Sequence, residues 1–236
     1  MTTIVVAHGA WSAGWAWKKM HPRLAAAGHT LVTPTYTGLG ERRHLAGPHI
    51  DLETHVADLL GVLETEDLHG VALVAHSYGG MVGTAVADRA RERIDQLIYL
   101  DAFVPADGQA LADLVPPGAT QAMRDAAAAD GDGWRVPPNP VPADTAPEDL
   151  PWIEARRSAQ PLGTFTQPLR IQRGPLTLPR AYIYCTRTGP GDTFGLFAAA
   201  AQADPAWRYR SIDASHSPHV TAPDALTALL DELVRT

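Results

Sequence analysis

The sequence predicts an α/β architecture, a mostly parallel sheet covered by helices on both faces with a cap inserted late in the chain. Three observations carry this expectation. Six short apolar runs alternate with longer segments whose apolar residues recur at helical spacing. Most of those runs are apolar throughout rather than alternating, which suits strands buried on both faces. Between residues 105 and 179 the rhythm breaks into a proline-rich stretch, poor material for a central sheet because proline fixes φ and donates no ladder hydrogen bond.

Taken in order, residues 4–7 (Ile-Val-Val-Ala) read as the first strand and 15–27 as a helix. Residues 30–33 form the second strand and 52–64 the next helix. A strand over 71–75 runs into a helix over 80–92, and a strand over 97–100 closes the first half. The segment 105–179 contains Pro116-Pro117, Pro137-Pro138, Pro140 and Pro142, with helical pieces only at 121–130 and 148–158. Trp134, Trp152, Phe165 and Leu169 give it apolar surface to bury, so a cap over the sheet's carboxyl edge is expected rather than a disordered linker. Strands at 181–185 and 209–212 and a helix over 224–234 complete the chain. The expected division is therefore a core of residues 1–104 and 180–236 and a cap of 105–179.

Composition sets the outer limits. At 236 residues, with 45% hydrophobic and 19% charged residues, the chain suits one globular domain with a sizeable core. A net charge of −7 and a pI near 5.7 leave no basic field for a phosphate backbone, which argues against nucleic-acid binding. The single cysteine, Cys185, excludes an internal disulfide and reads as a buried strand thiol. No basic leader with a long apolar stretch opens the chain, so a cytoplasmic protein without membrane partners is expected, and a homodimer stays open.

The chemistry-bearing run is Val71-Ala72-Leu73-Val74-Ala75-His76-Ser77-Tyr78-Gly79-Gly80-Met81. It places Ser77 between a buried strand and a helix that begins at once, the setting of a nucleophile elbow. A turn that tight demands small flanks, which Ala75 and Gly79 supply, with Ala75 standing where a first glycine is usual. A serine hydroxyl needs a base, and the chain order for such a site is Ser, then acid, then His. His216, in the loop after the last strand, fits the base. His219, nearer the final helix, is the runner-up.

Two carboxylates compete for the third place, where an acid orients the imidazole. Asp101 stands rigidly at the tip of the strand over 97–100. Asp192 follows the more usual strand but lies beyond Gly189-Pro190-Gly191, whose reach the sequence does not fix. Main-chain N–H groups for an oxyanion are expected from Tyr78, after the nucleophile, and Ala10, in the loop His8-Gly9-Ala10-Trp11. His8 reads as a structural side chain bonded within that loop.

His8-Gly9-Ala10-Trp11, Ala27-Gly28-His29, His76-Ser77-Tyr78-Gly79-Gly80-Met81 and Ala102-Phe103-Val104-Pro105 together resemble the plant methylesterase and hydroxynitrile lyase branch of the α/β-hydrolases. Leu39-Gly40-Glu41-Arg42 and Tyr99-Leu100-Asp101-Ala102 look like its bacterial esterase relatives. The resemblance implies the α/β-hydrolase fold, a Ser77–His216–acid esterase without cofactor or metal, and an oxyanion hole at Ala10 and Tyr78. Plant members carry the acid at the place of Asp192. The bacterial relatives keep an Asp at the position of Asp101, and the resemblance to them favours Asp101. Lyase members have a lysine directly after the catalytic histidine and a threonine in the oxyanion loop. Ser217 and Ala10 stand at those places here, which disfavours cyanohydrin cleavage.

Hydrolysis of a small hydrophobic carboxylic ester of methyl, aryl or lactone type is the function these readings predict, with Trp134 and Trp152 of the cap as substrate-binding residues. Acyl transfer, cyclisation or C–C lyase chemistry at the same site is the alternative. A ligand receptor on the same fold is the third reading.

Overall fold

The computed structural model describes residues 1–189 and 191–235, so Pro190 and Thr236 lie outside it. Strand β1 (Thr3–Ala7) is followed by a 3-10 turn (Gly14–Trp17) and helix α1 (Met20–Ala26). The sequence predicts one helix here, over 15–27. Pro22 explains the split, because it has no N–H to donate back to Lys18 and so fits only the opening turn of a helix. Then come β2 (Thr30–Val32), α2 (Leu52–Thr65), β3 (Val71–His76), α3 (Gly79–Arg89) and β4 (Ile94–Leu100). The cap carries α4 (Ala119–Asp130), β5 (Arg135–Val136), α5 (Leu150–Glu154), β6 (Gln160–Pro161) and α6 (Gly163–Thr166). Last are β7 (Arg180–Cys185), α7 (Gly195–Ala203), β8 (Trp207–Ile212), α8 (Pro218–Thr221) and α9 (Pro223–Arg235).

Six strands form one sheet in the order β2-β1-β3-β4-β7-β8, and every neighbouring pair is parallel. Parallel neighbours need crossover connections, and α7 supplies the one between β7 and β8. The sequence reading passes over α7, although its run Ala198 to Ala201 is strong helix-forming material.

Side chains on successive strand positions point to opposite faces, and both faces are covered. Val5, Leu73, Leu97 and Tyr99 pack towards α2, α3 and α7, burying Leu59, Met81, Val82 and Ala198. Ile4, Val6, Val74 and Ile98 pack towards α1 and α9. On α9 the buried Leu226, Leu230 and Leu233 recur at helical spacing, one apolar stripe against the sheet.

Two contacts set the elbow between β3 and α3. A Cβ at Gly79 would fall 2.0 Å from the Ala7 carbonyl oxygen, so only glycine lets α3 start this close to β1. Ala75, standing where a glycine is usual, finds room because residue 83 on α3 is glycine: a Cβ there would lie 2.7 Å from the Ala75 methyl. The extra methyl and the missing one fill the same space.

The cap is anchored to the core. β5 and β6 form an antiparallel ribbon with Val136 opposite Gln160, and Val136, Phe165 and Leu169 join the same buried cluster as Val5 and Tyr78. The capping carboxylate of α2, Asp51, also accepts from the Gln167 side-chain amide at 2.7 Å. Lys19 donates to Asp149 at 2.5 Å. Among the described residues, no helix is long and apolar enough to cross a membrane.

Candidate active site

The sheet order turns at its middle, and the loops leaving the carboxyl ends of β1, β3, β4 and β8 converge there, the usual place for a site in an open parallel sheet. Ser77 stands just beyond β3 with φ of +56°, a left-handed conformation that costs a non-glycine residue on the order of 1–3 kcal/mol. Hydrogen bonds hold it there. Ser77 N–H donates to the Leu100 carbonyl at 3.3 Å, and the Ser77 carbonyl accepts from Gly80 N–H at 3.0 Å and Phe103 N–H at 3.3 Å.

The His216 ring bridges two side chains. Its Nε2 lies 2.9 Å from Ser77 Oγ and its Nδ1 2.7 Å from Asp101 Oδ2. With Nδ1–H donating to the carboxylate, Nε2 is left free to accept the Ser77 proton. Phe194 stacks parallel on the imidazole at 4.8 Å. Asp101 also has positive φ, +43°, and its N–H donates to the Ile183 carbonyl at 2.8 Å. Its second oxygen accepts Cys185 N–H at 3.2 Å. Cys185 is buried at the carboxyl end of β7, burial holds its thiol protonated, and its main chain helps hold the acid.

The competing residues are occupied elsewhere. Asp192 accepts from the Tyr184 hydroxyl at 2.5 Å and from the N–H groups of Phe194 and Gly195, at the start of α7. That carboxylate pushes the Tyr184 hydroxyl up to about 12. His219 stacks on Trp17 at 4.7 Å, and burial pulls its pKa down to about 3, so it remains neutral. His8 donates from Nδ1 to the Gly9 carbonyl and accepts Tyr36 N–H on Nε2, and burial likewise brings it to about 3.

A buried imidazole to which the sequence motif assigns no role lies behind His216. His76 donates from Nε2 to the His216 carbonyl at 2.7 Å, and burial keeps its pKa well below the usual value. Its position directly before the serine was the available signal.

Ala10 and Tyr78 border the cavity beside Ser77. The Tyr78 side chain is buried and its hydroxyl donates to His55 Nδ1 at 2.9 Å, since His55 Nε2–H is given to the Thr37 carbonyl. Only the Tyr78 main chain is left for the site. A Cβ on Gly9 would lie 2.9 Å from the His76 ring and 3.2 Å from Ser77 Cβ, so glycine allows this loop to approach the elbow.

Above Ser77 opens a cavity of about 930 Å³. Its walls include Trp11, Phe103, Leu111, Met123 and Phe165, with the Arg157 guanidinium among them donating to the Asn139 carbonyl. Trp134 and Trp152, expected to bind substrate, are not among these walls. Trp152 packs edge-on against Trp15 at 5.2 Å beneath the Lys18 ammonium and donates its indole N–H to Asp149. Trp134 lies against the Arg135 guanidinium, 4.4 Å from the ring centroid. The Trp152 ring thus joins the cap to the first turn of the core, and the Trp134 ring lies against its neighbour Arg135. Phe165, and Met123 four residues along α4 from Ala119, take the wall positions instead. Among the described residues, no group of three or more His, Cys, Asp or Glu is arranged to hold a metal ion.

Residues 4–229 match the profile of the "Alpha/beta hydrolase family". A "Carbendazim hydrolyzing esterase" of Nocardioides sp. is 37% identical over 242 aligned positions, covering 99% of this chain and all of that protein. Among solved structures, an extracellular alpha/beta-hydrolase from a Paenibacillus species superposes with a TM-score of 0.83 at 23% identity, covering 98% of each chain. A methylesterase from Arabidopsis superposes with a TM-score of 0.76 at 21% identity, covering 100% of this chain and 99% of that one.

Proposed function

The chain belongs to the alpha/beta hydrolase family, and on that premise we propose that it is a serine hydrolase of carboxylic esters with Ser77 as nucleophile, His216 as base and Asp101 as the orienting acid. The observation that carries the reading is the His216 ring, hydrogen-bonded to Ser77 Oγ on one side and Asp101 on the other, at the floor of an apolar cavity. The 37% identical esterase relative supports the same class.

In this mechanism Ser77 Oγ attacks the ester carbonyl carbon while His216 Nε2 takes its proton. Asp101 keeps the imidazole in the required tautomer and stabilises the imidazolium. The N–H groups of Ala10 and Tyr78 meet the negative oxygen of the tetrahedral intermediate. Its collapse breaks the C–O bond, and the departing alcohol takes the proton from His216. Water then attacks the acyl-Ser77 ester, giving a proton to His216. The acid leaves and the serine is restored.

The cavity suits a small hydrophobic ester of methyl, aryl or lactone type. Carbendazim, named for the relative above, is a methyl carbamate ester and the first specific substrate to assay. Ser77→Ala is expected to lower kcat on p-nitrophenyl acetate roughly 10⁴- to 10⁶-fold. Hydrolysis by that variant at near wild-type rate would overturn the assignment.

A further inference from the structure

Gln160 lies in the cap, fully buried, and is not part of the cavity wall. Its amide is nevertheless committed to the loop beside Ser77. Gln160 Oε1 accepts Trp11 N–H at 2.8 Å, while Nε2 donates to Thr164 Oγ1 at 2.9 Å. The Thr164 hydroxyl spends its proton on the Pro161 carbonyl at 2.7 Å, so it can only accept from Gln160. The amide orientation is thereby fixed, with its oxygen towards Trp11. Val136, directly opposite Gln160 in the ribbon, offers its carbonyl to the Trp11 indole N–H at 2.9 Å. Two paired residues of the cap thus grip one residue of the core loop.

The gripped residue is strained. Trp11 has φ of +55°, a conformation that a bulky side chain keeps only where its surroundings impose it, and it follows Ala10 directly. We infer that Gln160 is a positioning residue for the oxyanion site: through Trp11 N–H it holds the Ala10–Trp11 peptide in the left-handed turn that presents Ala10 N–H to the space above Ser77. The inference rests on the reading of Ser77 as nucleophile. Without the Gln160 oxygen, Trp11 N–H would be buried with no partner, and rotation of the Ala10–Trp11 peptide towards another acceptor would displace Ala10. An oxyanion exists in the transition state and not in the bound ester, so the loss falls on the chemical step.

The test is Gln160→Met, which keeps the length of the side chain and removes the acceptor. On p-nitrophenyl acetate, kcat is expected to fall about 10- to 100-fold with KM within about three-fold of wild type. A trifluoromethyl ketone, which adds Ser77 Oγ to its carbonyl and places an oxyanion in the site, is expected to lose affinity in parallel with kcat/KM. Inhibition by acetate, the acid product, is expected to stay unchanged. Thr164→Val, which frees the amide and leaves it in place, is expected to show a smaller loss of the same kind and decides the matter if Gln160→Met does not fold. Gln160→Glu retains an oxygen for Trp11 and is expected to recover part of kcat.

Wild-type kcat in Gln160→Met, or losses in kcat and thermal stability with undiminished trifluoromethyl ketone affinity, would overturn the inference by marking a structural role. Ser77→Ala assayed alongside separates the two levels. If it retains hydrolysis, the nucleophile reading fails. If it is inactive while Gln160→Met is unimpaired, only the positioning inference fails.

Discussion

Asp101 and Asp192 show how little a residue type says until its backbone is placed. Both are carboxylates just beyond strand ends, yet Asp101 turns back at φ of +43° to reach His216, whereas Asp192 turns forward to the start of α7. Asp101→Asn is therefore expected to lower kcat by about 10⁴-fold, because an amide in place of the carboxylate favours the wrong imidazole tautomer. Asp192→Asn is expected to stay near wild-type rate, since asparagine can still accept from the N–H groups it meets. Steady-state kinetics on one ester distinguishes them, and the reverse ranking would transfer the acid to Asp192. That Ser77 and His216 would meet was legible because strand-to-helix context marks the one and chain order the other, both read along the chain itself although the two lie far apart in it. The acid was not settled by the residues themselves, since the reach of the loop around Gly189 depends on tertiary packing. His76 went unread because a buried imidazole leaves no periodic trace.

At the scale of elements, apolar runs and helical spacing located all six sheet strands: β1, β3, β4 and β7 are buried on both faces and leave a near-continuous apolar signature, while the edge strand β8, with Arg208 and Arg210, shows it only in part. The ribbon of β5 and β6, two residues a side, carries no such pattern and emerges only from contacts between distant parts of the chain. For the same reason counting aromatic residues in the cap does not locate the cavity wall, from which Trp134 and Trp152 are absent: abundance does not say which face a ring turns to. The junction of β3 and α3 makes a sharper demand. Gly79→Ala would put a methyl against the Ala7 carbonyl at 2.0 Å, and α3 would have to shift from β1. A loss of about 1–3 kcal/mol or more in urea unfolding, together with a fall in kcat, is expected. A variant as stable and active as wild type would contradict the packing described for the elbow.

Across the whole molecule, neutral imidazoles are a shared feature of the interior. Burial is the first cause that brings His8, His55 and His219 from 6.5 to about 3, and His76 is lowered in the same way. The unfolded chain binds these protons near pH 6.5 and the folded chain does not, so stability is fully present above that pH and is lost as pH falls from 6.5 towards 3. Each group contributes a slope of up to about 1.4 kcal/mol per pH unit within that window. Calorimetric Tm is expected to fall between pH 7 and pH 5, before ordinary carboxylates titrate, and a flat profile there would contradict the burial of these rings. Ser77 Oγ is the atom on which the mechanism turns, and mass spectrometry of the protein quenched in acid during turnover of p-nitrophenyl acetate reads it most directly. An acetyl group is expected on the peptide containing Ser77, and none in Ser77→Ala. Acetylation elsewhere with undiminished turnover in that variant would contradict it.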